Sequence, residues 1–113
     1  MRTYPFELEY YVTEDGRVPF KDWLDGLKDI TGRAKIRIRL DRVRLGNLGD
    51  SRSVGGGVHE LKIDCGPGYR VYFACEKEQI ILLLIGGHKS RQEHDIAEAR
   101  SFREDWRRRR KHA

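Results

Sequence analysis

The chain reads as a single α+β domain in which helices pack on an antiparallel sheet of about four strands. The order is strand, two helices, three-strand meander, C-terminal helix. Three observations carry that reading. Val58 to Ile63, Tyr69 to Ala74 and Ile80 to Ile85 are β-rich runs separated by Gly66-Pro67-Gly68 and by a short charged turn, which is the pattern of consecutive hairpins. Tyr4, Phe6, Leu8, Tyr10 and Val12 fall at every second position with Glu7 and Glu9 between them, the period of a half-buried strand. Three further regions place apolar residues at helical spacing. At 113 residues the chain can bury one modest core and not two, so residues 1–113 are taken as one domain.

Each element follows in order. After the first strand, Glu14-Asp15-Gly16 marks a turn, and Pro19 opens a short helix whose Phe20, Trp23, Leu24 and Leu27 share one face. The stretch Arg33 to Leu45 is two-sided: Lys35 to Leu40 alternates like a strand, whereas Ile36, Leu40 and Val43 fit a helix. Its length, its Arg and Lys content and the Gly46-Asn47-Leu48-Gly49 stop predict the helix, with an outer basic rail that includes Lys35, Arg37 and Arg39. Gly46 to Gly57 has five glycines and no period and is expected to be a loop. Beyond the meander, Ser90 followed by Glu93 makes a capping-box pattern, and Ile96, Ala99, Phe102 and Trp106 supply a buried stripe. Residues 107–113 form a basic tail that is expected to fray.

The formal net charge is +5, and its distribution is uneven: acidic residues crowd the first third and basic ones the remainder. Such clustering points to a polyanionic partner. Nucleic acid fits better than membrane, because no segment reaches the roughly 20 apolar residues of a span. A merely solvated charged surface fits the composition equally well. The N-terminus has no signal-peptide core, so residence in the cytoplasm is expected. Cys65 and Cys75 lack CxxC spacing and read as free thiols; His59 and His94 lack metal-ligand spacing, and no metal site is expected.

Strand parity locates a candidate site. Only registers that pair even with even residues put Leu61, Ile63, Val71 and Phe73 together on a buried face, and those registers gather Glu60, Lys62, Arg70 and Tyr72 on the other, exposed face. Next to it, Gly86-Gly87-His88-Lys89 runs into the last helix, whose unpaired N–H groups favour anions. A phosphate would fit between that helix start, Lys89 and Arg70. Ribonucleolytic transfer needs a base for the 2′-OH, cations for the crowded phosphate and a proton for the leaving oxygen. Glu60 or Lys62 would supply the base, Arg70 and Lys89 the charge. The competing readings are ordinary ones: solvated strand-end charges for Arg70 and Lys89, a salt bridge to Arg70 for Glu60, and packing instead of base stacking for Tyr72.

The runs HELKIDCGPGYRVYF and LLLIGGHKSRQEHDIAEAR, with GRVPFKDWL at residues 16–24 and LGNLGD at 45–50, resemble the RelE/ParE superfamily of toxins. The likeness is to its HigB-like addiction-module killer branch, which has phage relatives. It implies a RelE/ParE-like fold and the toxin of a type II toxin-antitoxin pair, a ribosome-dependent endoribonuclease that cleaves mRNA and blocks translation. It also implies a helix-turn-helix antitoxin as partner, contacts to mRNA and ribosomal RNA, no cofactor, and supporting roles for Lys62, Arg70 and Lys89. Where many relatives read Gly-Gly-Asp-Lys, this chain has His88 before Lys89, a candidate proton donor or a cleft-lining group. Arg91, Tyr72, Lys35, Arg37 and Arg39 are the expected RNA contacts. The alternatives on the same fold are a non-enzymatic ParE-like inhibitor of DNA gyrase and a phage-derived nucleic-acid-binding regulator.

Overall fold

The structure, a computed structural model, describes residues 5–77 and 79–111; Tyr4, expected to open the first strand, lies outside them. Strand β1 (Glu7–Tyr10) is followed by helices α1 (Pro19–Asp25) and α2 (Ile30–Arg44), and then by β2 (Ser51–Gly55), β3 (Val58–Ile63), β4 (Tyr69–Glu76) and β5 (Ile80–His88). A 3-10 turn at Lys89–Arg91 leads into helix α3 (Gln92–Lys111). The strands form one open sheet in the order β1-β5-β4-β3-β2. The domain is therefore α+β, as expected, but the sheet departs from the expectation in two ways.

It has five strands, because Ser51–Gly55 pairs antiparallel with β3 where a loop was expected. It is mixed, because β1 runs parallel to β5, with Glu7 opposite Ile80 and Tyr10 opposite Leu83. The β2–β3 hairpin closes through Gly55-Gly56-Gly57, all at positive φ (86°, 62° and 77°). Three consecutive left-handed residues call for glycine, which explains the cluster that had read as loop.

Helix α1 begins with Pro19 at its first turn, where the missing N–H costs nothing, and it buries Phe20 and Leu24. Helix α2 is capped by Asp29, whose carboxylate accepts from the Gly32 N–H at 3.0 Å and from the Tyr69 hydroxyl at 2.8 Å. The two-sided stretch resolves as the helix the spacing favoured. Ile36 and Leu40 are buried, while Ile38, which strand alternation would have buried with them, is 50% exposed.

Both faces of the sheet are covered. On one, Phe20, Leu24, Ile36, Leu40 and Val43 of α1 and α2 pack on Leu61, Ile63, Val71, Phe73, Ile81 and Leu83. On the other, α3 packs through Ala99, with Ile96, Phe102 and Trp106, on Val58, Tyr72, Ala74, Leu82 and Leu84. The β3–β4 register pairs Glu60 with Tyr72, Leu61 with Val71 and Lys62 with Arg70, which is the even-to-even pairing that parity required. Along β1 and its flanking residues, Phe6 and Leu8 join the α1/α2 core as the alternation implied, but Tyr10 and Val12 are exposed and Tyr11 is buried in their place. Tyr11 stacks on Phe102 with ring centroids 4.7 Å apart and donates to Asp105 at 2.6 Å, so α3 claims it for the opposite core.

Strand β5 thins to bare backbone where the layers come closest. A methyl group at Gly86 would collide with the Trp23 ring, and one at Gly87 with the Asp95 carboxylate. The two glycines therefore let α1 and α3 approach the sheet from opposite sides.

The start of α3 also differs from the expected capping box. Ser90 Oγ meets His88 Nδ1 at 2.7 Å rather than capping the helix, and the chain makes its 3-10 turn before the helix begins at Gln92. At the other end, Arg107–Lys111, expected to belong to a frayed tail, continues the helix; 112 and 113 lie outside the described residues. Among the described residues, no helix is long and apolar enough to cross a membrane.

Candidate anion cleft

Where α3 starts over the β2–β3–β4 side of the sheet, Asp50, Ser51, Arg52, Glu60, Lys62, Arg70 and Gln92 surround a cleft of about 310 Å³. Glu60 is its hub. Its Oε1 accepts from Arg52 Nε at 3.0 Å; its Oε2 accepts from the Tyr72 hydroxyl at 3.0 Å and from Gln92 Nε2 at 2.7 Å. Burial opposes ionisation of this carboxyl, but the hydrogen bonds from Gln92, Arg52 and Tyr72 outweigh it and hold Glu60 below the ordinary glutamate range.

Arg70 lies beside this hub with its Nε 4.0 Å from Glu60 Oε1. Its Nη1 donates to the carbonyls of Gly68 at 3.1 Å and Tyr69 at 3.3 Å. The buried Nε has no hydrogen-bond partner. A buried, charged donor without an acceptor is costly, and here it borders a cleft that an anion can enter. Gly68 ties in the next strand end, since its carbonyl also accepts the Lys89 N–H at 2.9 Å.

Parity thus placed the four side chains on one face, as the register shows, and misjudged their exposure. Glu60, Arg70 and Tyr72 are only 4%, 5% and 0% exposed, and of the four only Lys62 is open to solvent. The cause is the third layer: α3 covers the face that alternation in β3 had marked as polar and free. Tyr72 has no ring face for a base to stack on. Burial, then the charge of Glu60 and the hydrogen bond to it, push its phenol up, so it acts as a donor to Glu60. Glu60, expected as a possible base, has both oxygens occupied by donors.

The remaining expected residues fall in three places. Lys89 and Arg91 are exposed and line a separate shallow groove with Ser90, Gln92, Glu93 and His94, next to the cleft but outside it. His88 pairs with Tyr69, out of phase with Arg70 and its partner Gly87, and it does not line the cleft. The rail of α2 covers the opposite face of the sheet, so Lys35 and Arg37 sit across it from Glu60 and Arg70. Arg37 lies 4.0 Å from Asp25, and Arg39 is committed to structure, donating to the carbonyls of Lys62 at 2.7 Å and Leu48 at 3.1 Å.

Four cleft residues were missed, Asp50, Ser51, Arg52 and Gln92. Arg52 went unseen because its strand read as a loop, and Gln92 because the helix start was placed at Ser90. Asp95, one turn beyond Gln92 and outside the cleft lining, also went unnoticed: burial pushes its carboxyl up, with Arg91, His94 and His88 opposing and Glu98 reinforcing. Among the described residues, no group of three or more His, Cys, Asp or Glu side chains is placed to hold a metal ion.

Fold and cleft together define a basic α+β domain with a carboxylate-braced guanidinium at an anion-sized opening. The chain is 46% identical over 81 residues to an uncharacterized protein of Haemophilus influenzae, an alignment spanning 72% of this chain and 82% of that protein. The chain belongs to the same family as that Haemophilus protein. No family model matches the chain, and no solved structure matches it.

Proposed function

We propose that this protein is a cytoplasmic toxin of a type II toxin-antitoxin pair, similar to the HigB-like branch of the RelE/ParE superfamily. In this reading it cleaves mRNA on the ribosome and is silenced by a helix-turn-helix antitoxin. The observation that carries the reading is the buried Arg70 guanidinium, braced by Glu60, with an unpartnered Nε beside a cleft that also holds Lys62 and Arg52.

In the proposed reaction the scissile phosphate enters between Arg52, Lys62 and Arg70. The 2′-oxygen attacks phosphorus, the bond to the 5′-oxygen breaks, and a 2′,3′-cyclic phosphate and a 5′-hydroxyl result. Negative charge builds on the non-bridging oxygens in the transition state, where preorganised cations contribute most. Arg70 is preorganised because its stem is buried and its Nη1 is pinned to two carbonyls. Glu60 serves as the brace, and Lys62, the exposed member of the group, is assigned both proton transfers: its amine takes the proton of the 2′-hydroxyl and the resulting ammonium returns a proton to the leaving 5′-oxygen. Lys89 adds positive charge at the neighbouring strand end.

Primer extension on mRNAs after induction tests the reading. New 5′ ends within translated regions are expected. Arg70→Ala should lower cleavage by about 10²-fold or more and relieve growth arrest in a protein that still folds. Intact transcripts together with inhibited supercoiling would instead identify a ParE-like gyrase inhibitor.

A further inference from the structure

A second charged surface lies at the far end of α3. The fifteen positions from Gln92 to Arg107 carry it about 22 Å along the helix from the cleft. There Lys77, Arg107, Arg108, Arg110 and Lys111 border an open groove of about 960 Å³ between the helix end and the β4–β5 turn, with Trp106 and Glu76 on its wall.

The carboxylates nearby are already engaged. Glu76 is 7% exposed, and its Oε1 accepts from Arg103 Nε at 2.7 Å. Asp105 accepts from Tyr11, at 2.9 Å from Arg109 Nε and at 3.3 Å from Arg108 Nη2. Arg103 and Arg109 are thus structural pins, the first also donating to the Gly56 carbonyl and the second lying over the Tyr11 ring. Arg107 keeps only a 4.0 Å approach to Glu76, with its side chain 59% exposed, and Arg110 lies over the Trp106 ring at 4.6 Å. Lys77 is held on the turn in the left-handed region, at φ 50°.

A helix C-terminus carries only about half a negative charge, which one or two cations complement. The groove has five, one of which, Arg108, is paired with Asp105 at 3.3 Å. Arg107 with Arg110, Arg107 with Lys111, and Arg108 with Lys111 are three or four positions apart and therefore repel one another across the helix surface. A concave surface that accumulates self-repelling charge, mostly guanidinium, is matched by a chain of phosphates, which arginine engages through two parallel N–H donors.

We infer that this groove is an RNA-backbone docking site separate from the cleft, one that anchors structured RNA while the cleft acts elsewhere. The choice of RNA as the phosphate chain rests on the proposed function; the cationic groove does not.

The full-length chain is titrated against a short fluorescein-labelled RNA duplex over a range of salt concentrations, with Lys77→Ser, Arg107→Gln, Arg110→Gln and Lys111→Gln combined in one variant. The plot of log affinity against log salt should flatten by about 3–4, at about 0.9 per lost phosphate contact, and low-salt affinity should fall on the order of 10²-fold. The circular dichroism melt should be retained. Arg70→Ala, which removes cleavage and at most one phosphate contact under the proposed function, should flatten the slope by no more than about 0.9, so failure of the cleavage reading and failure of this one are separable. The inference is overturned if the combined variant binds RNA like the parent. It is equally overturned if a DNA duplex of the same sequence binds as tightly and loses as much, or if poly-glutamate displaces the RNA at matched charge.

Discussion

Replacing Glu60 with glutamine keeps the side chain's size and removes its charge, so the variant measures what the brace contributes. The carboxylate takes three donors, at 3.0, 3.0 and 2.7 Å, and faces the buried Arg70 at 4.0 Å. An amide offers one acceptor and turns its NH₂ toward a donor, leaving at least one hydrogen bond unmade and Arg70 without its countercharge. Hydrogen bonds to charged groups are worth about 1.5–3 kcal/mol, so Glu60→Gln should cost about 2 kcal/mol. For a domain of this size that lowers Tm by about 8 °C near pH 7. Glu60→Ala, which strands the buried guanidinium altogether, should cost about 3–5 kcal/mol. The loss should depend on pH in one direction. Because the folded-state pKa of Glu60 lies below its ordinary value of 4.5, its charge stabilises the fold fully above that value. That contribution is lost as the pH falls through the folded pKa. The melts of parent and Glu60→Gln should therefore draw together as the pH falls below 4.5. Parallel curves across the whole range, or equal Tm at neutrality, would refute the role assigned to Glu60.

Three further outcomes are expected. Gly87→Ala should destabilise the fold by about 1–3 kcal/mol through overpacking against Asp95, as read by urea denaturation, and Gly87→Ala combined with Asp95→Ala should recover much of the loss. Asp95→Asn should raise stability at neutral pH. Burial raises the folded-state pKa of Asp95 above 3.8, so the parent loses stability as pH climbs through that interval, and the gain should vanish below it. Arg39→Met should cost about 1–2 kcal/mol by releasing the carbonyls of Lys62 and Leu48, while RNA affinity in a filter-binding assay stays unchanged.

The meander, both early helices and the pairing of Glu60, Lys62, Arg70 and Tyr72 were legible because each rests on a local period. Their burial was less legible. Alternation in β3 advertises one wet face, but Tyr69–Ala74 and Ile80–Ile85 are nearly unbroken apolar runs, the mark of strands covered on both sides. Weighing those runs more heavily would have placed α3 over Arg70. Strand β2 had no comparable signal, since Ser51-Arg52-Ser53 is polar and the adjoining glycines serve a hairpin whose shape only the folded chain displays. Parallel pairing of β1 with β5 was beyond reach, because alternation declares a strand without declaring its neighbour.

That parallel pair bears on how the protein comes into being. Glu7 meets Ile80 only after 73 further residues have been made, an interval of roughly 4–15 s at ribosomal speeds. Through that time β1 has no neighbouring strand, and α1 lacks β5, the strand it packs on. Closing so long a span comes late in folding, after the locally connected hairpins have formed. The newborn chain thus spends seconds with β1 unpaired and α1 uncovered, a window open to chaperones and proteases and closed only when the last strand arrives.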